Sequence, residues 1–232
     1  MKFSIVVSLN NHNLIGENDK LLIHSKKDLK NFQQITTGKS ETKNIVIMGY
    51  KTWLSIPEGK RPLKDRMNIV LTKSHIVSES ENVKSFKSLE KAFSWSSKGD
   101  GEIFVIGGTQ IFNECCKSEY IDNLDKLYVT RFDDNYHPRN TTHSFPSQLF
   151  NDMKLVKQSA INHEICERPH LETPKSFLDE YLKEQTSKSI SFTFDIYQRV
   201  DKINEEEYQY LNLLNKVLEE GLETESRNSK VL

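Results

Sequence analysis

Short apolar runs recur along the chain with helix-patterned segments between them. FSIVVSL (3–9), NIVIMG (44–49), MNIVLT (67–72), EIFVIGG (102–108), KLYVTRF (126–132) and SFTFDIYQR (191–199) are rich in β-branched and aromatic residues. The interior runs are apolar almost throughout, the pattern of strands buried on both faces. Between them KKDLKNFQQIT (26–36), YKTWLSI (50–56), SLEKAFSWSS (88–97) and TQIFNECCK (109–117) read as helices. This alternation predicts an α/β fold: a central, mainly parallel, twisted sheet with flanking helices. No simple crossover helix separates the last two strands, so the C-terminal strand is expected at an antiparallel edge.

Three regions break the rhythm. Residues 133–144 read as a polar loop, and residues 162–190, with Pro169 and Pro174, as a surface insertion holding a short helix at 175–185. In NEEEYQYLNLLNKVLEEG (204–221) Tyr208, Leu211, Leu214, Val217 and Leu218 form one stripe. Asn204 and Glu207 give that amphipathic helix a capped start, and Gly221 closes it. The division expected is a domain over 1–200 followed by a linker and helix over 201–232.

A chain of 232 residues with net charge −1 can bury a proper core. It has no broad electrostatic footprint for nucleic acid or an acidic membrane, and no apolar run approaches a spanning helix. The start, MKFSIVVSLNNHN, reads as a first strand rather than a secretory leader. Three cysteines, two of them adjacent (Cys115, Cys116), have neither disulfide-framework nor metal-ligand spacing. A reducing, cytoplasmic compartment is the expectation.

Two features point to chemistry. In LLIHSKKDLKNFQQI (21–35) Asp28 shares a helical stripe with Phe32 and Ile35. Ser25 and Asp28 fit a capping pair; Asp28 equally fits an acid at the base of an apolar pocket, binding an amidine-like ligand that becomes protonated. The second feature is a strand–glycine–helix junction that occurs twice, at Gly49 and at Gly107–Gly108. The Gly-Gly pair reads either as a tight turn or as a close approach of backbone to a ligand such as a phosphate. Two such junctions, with Lys51 and Lys73 nearby, suit the two ends of a dinucleotide, although neither carries a G-x-G-x-x-G or P-loop motif.

The segments I-G-E-N (15–18), D-L-x-x-F (Asp28, Leu29, Phe32), V-I-M-G-x-x-T-W-x-S-I-P (46–57), R-P-L-x-x-R-x-N-I-V-L (61–71), V-I-G-G (105–108) and L-Y-V-T-R (127–131) resemble, in order, dihydrofolate reductase. The resemblance runs from residue 3 to about 199. It implies the fold of that family and NADPH-dependent reduction of dihydrofolate, with hydride delivered to C6 and a proton to N5. Asp28 then matches the acid that binds the pterin's 2-amino group and N3, and Thr130 the threonine beside it. Val6, Ser8, Leu29, Phe32, Ile56 and Leu63 match folate-pocket positions, and Arg66 the arginine for the substrate's glutamate carboxylate. On the cofactor side, Val7, Ile15 and Gly16 match the nicotinamide end with its mobile loop. Gly49, Lys51 and Thr52 match pyrophosphate contacts; Leu71, Thr72 and Lys73 match the 2′-phosphate side. Ile106, Gly107, Gly108 and Thr109 match the segment flanking nicotinamide and phosphates, whose Gly-Gly peptide is cis in the family.

The chain departs from the family pattern at three places. Leu22 and Ile23 stand where Pro-Trp is usual, Tyr50 where a basic residue is common, and Thr142–His143 where an acidic-threonine pair precedes F-P. The tail EEYQYLNLLNKVLEEG resembles the first helix of thymidylate synthase, with Arg227 near that family's phosphate-binding arginine, but no catalytic-cysteine segment accompanies it. This implies the reductase part of a bifunctional reductase–synthase; otherwise the helix is a surface for self-association or for a synthase. Competing readings are a flavin-pathway reductase on the same scaffold, a folate- or NADPH-binding protein without turnover, and an interaction module.

Overall fold

The computed structural model describes residues 1–38, 42–75, 77–137, 142–168 and 187–200, with Leu213. Twelve strands are present among them: β1 (Phe3–Leu9), β2 (Leu14–Glu17), β3 (Lys20–Leu21), β4 (Asn44–Gly49), β5 (Arg66–Leu71), β6 (Val83–Phe86), β7 (Ile103–Gly107), β8 (Leu124–Phe132), β9 (Thr142–Ser144), β10 (Met153–Gln158), β11 (Asn162–Glu167) and β12 (Ser187–Arg199). The helices are α1 (Lys26–Thr36), α2 (Tyr50–Ser55), α3 (Leu89–Ser96), α4 (Thr109–Cys115) and α5 (Ser118–Ile121). The main sheet runs β10-β12-β8-β1-β7-β4-β5-β6, with β11 also paired to β12. From β8 to β6 every neighbouring pair is parallel, and β12 turns antiparallel against β8, β10 and β11. The expected α/β architecture with its antiparallel C-terminal side is therefore the observed one.

Burial explains the strand compositions. In β4, Ile45, Val46, Ile47 and Met48 are all buried because helices cover both faces of the central strands. One apolar cluster under α3 and α4 gathers Ile5, Val7, Ile47, Val105, Phe112 and Leu127. The opposite face holds Val6, Val46, Met48, Val70 and Phe104, with Phe32, Ile56 and Leu63 packed against them. Helix α1 begins where Ser25, in extended conformation, accepts from the Asp28 amide, and it ends at Thr37, whose N–H bonds Gln33 O.

Three expectations change. Within the loop expected at 133–144, residues 142–144 form β9, which pairs with β2 in a small separate sheet. The insertion expected at 162–190 begins and ends in the main sheet: β11 pairs residue by residue with the start of β12. Its alternation buries Cys166 and exposes His163 and Ile165, a period-2 pattern that polar residues conceal. The helix read at 109–117 is α4 followed by the separate single turn α5. The helix expected at 175–185 lies outside the described residues, as does that at 204–221 apart from Leu213.

Candidate active site

The parallel strands end at a common edge, where α/β folds bind ligands. On β1 and β8, Ser8 is in register with Thr130, and Val7 with Val129. Helix α1 lies over this edge with Asp28 in its first turn, and Thr130 Oγ1 donates to Asp28 Oδ1 at 2.6 Å. Asp28 is only 9% exposed. Burial pushes its carboxyl up from 3.8 to about 6, against the hydrogen bonds from Thr130 and Ser8; Glu164 adds to the rise and His24 opposes it. The Ser25–Asp28 capping contact is also present, at 3.0 Å through the Asp28 amide. The amide does the capping, so the carboxylate is free for other work. The capping reading holds, and the carboxylate itself bonds Thr130.

Beyond Asp28, the predicted folate-pocket residues Val6, Phe32, Ile56 and Leu63 meet the cofactor-side Ile106 in a single apolar cluster, whereas Leu29 is 40% exposed. Arg66, buried at the start of β5, donates Nε to Lys64 O at 2.9 Å and Nη1 to Thr36 Oγ1 at 2.6 Å. Its guanidinium lies over the Phe32 ring, 5.7 Å from the centroid. A cation is thus held at the far end of the helix that carries Asp28.

The two glycine junctions lie side by side because β4 and β7 are parallel neighbours, with Met48 opposite Gly107. The Gly107–Gly108 peptide is cis and Gly107 has φ +109°. A Cβ on Gly107 would sit 3.1 Å from the Phe112 ring, and one on Gly108 would sit 3.2 Å from Thr52 Oγ1. The positive φ of Gly107 and these tight contacts with Phe112 and Thr52 favour glycine here beyond turn formation. Beside the pair, the Thr109 hydroxyl is buried without a partner, and an orphaned donor of this kind fits a cofactor oxygen. Lys51 reaches Asp19 at 3.2 Å.

Leu71 is buried in β5, and after it Thr72 and Lys73 line an open cleft of about 460 Å³ together with Ser74, His75, Ser85, Phe86, Lys87 and Lys91. The sequence reading missed His75, Lys87 and Lys91. The Lys87–Lys91 pair around the Ser88 cap was the available signal. Tyr50 stacks on His75 with ring centroids 4.1 Å apart, so an aromatic pair occupies the place where a basic residue is common.

The remaining departures have structural partners. Leu22 and Ile23, each 3% exposed, pack with Leu14, Phe132, Cys166, Ile190 and Phe192. Ile15 packs against the main core. Gly16 pairs with His143 of β9, and a Cβ on it would meet Lys20 O at 2.5 Å. His143 Nε2 also lies 3.4 Å from Asp19 Oδ1. The loop before α1 is therefore tied to β9 without the acidic-threonine pair.

The family model for dihydrofolate reductase matches residues 2–168. The chain belongs to the dihydrofolate reductase family. It is 36% identical over 115 residues to a dihydrofolate reductase of Candida albicans, covering 47% of this chain and 58% of that protein. It is 27% identical over 230 residues to a bifunctional dihydrofolate reductase-thymidylate synthase of Paramecium tetraurelia, covering 97% of this chain and 42% of that one. With the corresponding bifunctional protein of Glycine max it shares 30% over 243 residues, 94% of this chain and 44% of the relative. The chain thus spans about half the length of these curated relatives.

Proposed function

We propose that this chain reduces 7,8-dihydrofolate to 5,6,7,8-tetrahydrofolate with NADPH, supplying one-carbon metabolism and thymidylate synthesis. The observation that carries the reading is the buried Asp28 carboxyl, bonded to Thr130 at the edge shared with the paired glycines. Asp28 accepts from the pterin's 2-amino group and N3–H. Its charge, little screened among apolar side chains, favours a proton at N5. Asp28 and N5 thereby share one protonation equilibrium, and the rate falls as pH rises above the apparent pKa of the pair. Phe32, Ile56 and Leu63 exclude water around the ring system, and Arg66 takes the glutamate carboxylate. Gly49, Lys51, Thr52 and Gly107 to Thr109 would hold the cofactor's pyrophosphate and nicotinamide, and Lys73, Lys87 and Lys91 its 2′-phosphate. When bound, NADPH supplies the hydride to C6.

Residues 1–200 are assigned as the reductase unit, and 201–232 as a linker and the opening helix of a thymidylate synthase. Supporting this are the names of the Paramecium and Glycine relatives and the 94–97% of this chain that their similarity covers. The cysteine pattern supports a cytoplasmic setting. Purified protein is expected to oxidise NADPH only when dihydrofolate is added. Ligand binding without turnover would defeat the enzymatic reading, and a transcript lacking synthase sequence beyond codon 232 would defeat the bifunctional one.

A further inference from the structure

Taking Asp28 as the pterin's acid, as above, we propose that Glu164 is a positioning residue for it, acting from β11 through Ser25. The family match extends across this strand, but the family-like segments end at Arg131, well before it. Yet β11, six residues paired to β12, lies across the start of α1. Its backbone joins the segment before the helix: His24 N donates to Glu167 O at 2.8 Å, and Glu167 N to His24 O at 3.1 Å. Lys27 Nζ adds a bond to His163 O at 3.0 Å.

The side-chain chain is more pointed. The Ser25 hydroxyl donates to Glu164 Oε2, and the Lys27 amide donates to the same oxygen at 3.2 Å. The Asp28 amide in turn donates to Ser25 Oγ at 3.0 Å. Ser25 is 1% exposed, so its proton has a fixed direction, toward Glu164, and its lone pair faces Asp28. One carboxylate therefore orients the cap, the cap orients the first turn, and the first turn aims Asp28 at the pterin site. A second effect follows from charge: Glu164 is a negative group placed within one hydrogen-bond relay of the reaction acid. Whichever atom of the Asp28–pterin pair holds the shared proton, a nearby negative charge favours it.

The other groups facing Asp28 do not duplicate this role. Thr130 from β8 and Ser8 from β1 are neutral donors that favour the anion, and His24 also acts toward the anion. Cys166, the inward neighbour of Glu164 on β11, is a buried thiol that burial pushes up to about 11, so it stays neutral. Arg168, beyond β11, is engaged by Asp134.

The test is a 13C titration of the Asp28 carboxyl carbon in the full chain, without folate or NADPH. Glu164→Gln keeps an oxygen for Ser25 and Lys27 and removes only the charge. The Asp28 midpoint is expected to fall by on the order of half a pH unit. An unchanged midpoint in folded Glu164→Gln with α1 amide shifts intact would overturn the proposal. A purely structural Glu164 would show instead as a lower Tm in Glu164→Ala with the midpoint unmoved, which also overturns it. In the wild type, the Lys27 amide, which donates to Glu164 Oε2, should show protection from solvent exchange. Its absence overturns the proposal even if neither variant folds. The apparent pKa of the hydride-transfer rate should follow in Glu164→Gln, giving about threefold slower transfer at pH 8 and no change at pH 5. Because the titration needs no substrate, a shifted midpoint in a protein without dihydrofolate turnover would sink only the enzymatic assignment.

Discussion

Replacing Asp28 by Asn should stabilise the fold while damaging its chemistry. In the unfolded chain this carboxyl ionises near 3.8, whereas in the folded chain burial holds it near 6. The native state therefore binds the proton more tightly, and wild-type stability falls as pH rises through the window between those values. The gap is about two pH units, so at about 1.4 kcal/mol per unit the loss is on the order of 3 kcal/mol and is complete above the upper value. The neutral amide of the variant has no such penalty. Its carbonyl oxygen can still accept from Thr130, and the Ser8 hydroxyl can turn to accept from its NH₂ group. Urea denaturation of both proteins, ligand-free, at pH 4 and pH 8 isolates the Asp28 contribution, because its coupling to Glu164 is small beside the effect of burial. The stability difference should be about 0.5 kcal/mol at pH 4 and approach about 3 kcal/mol in favour of the variant at pH 8. An equal difference at both pH values, or a variant less stable at pH 8, would show that Asp28 is not held in a desolvated site.

Other perturbations separate the parts of the site. Gly107→Ala should cost about 1–3 kcal/mol in thermal or urea melts, since φ is +109° and the new methyl meets Phe112; wild-type stability would contradict the close-packed junction. Thr130→Val removes a 2.6 Å hydrogen bond to the Asp28 anion. The Asp28 titration should then move further up, because this bond holds it down, and a downward move would refute the assigned donor. Lys73→Gln combined with Lys87→Gln should raise KM for NADPH at least about tenfold and leave KM for NADH unchanged; equal effects on both would remove the cleft from 2′-phosphate recognition.

Much of this site was legible because its residues sit on elements with strong local signals. Helix α1 and strands β1 and β4 match their expected bounds: Ser25 caps one, and unbroken apolar runs define the others. The same apolar continuity placed the glycine junctions at strand ends. Edge strands carry no such signal. β10 reads MKLVKQ and β11 NHEICE, half-exposed strands whose polar residues break the run and whose pairing is a long-range backbone matter. For that reason Glu164 lay in what looked like surface insertion, although it bonds to the start of the helix that carries Asp28. The lysines of the cleft were hidden differently. Lys87 and Lys91 look like an ordinary solvated face until the β5–β6 pairing brings them beside Lys73.

The claim on which the rest depends is that a single buried carboxyl serves the reacting end of the pterin. Single-turnover hydride transfer at pH 7, followed by NADPH fluorescence in wild type and Asp28→Asn, addresses it most directly. The variant should bind NADPH as the wild type does and transfer hydride to dihydrofolate at least about a hundredfold more slowly. Transfer at the wild-type rate would mean that the proton reaches N5 without Asp28, and the assigned chemistry would be wrong.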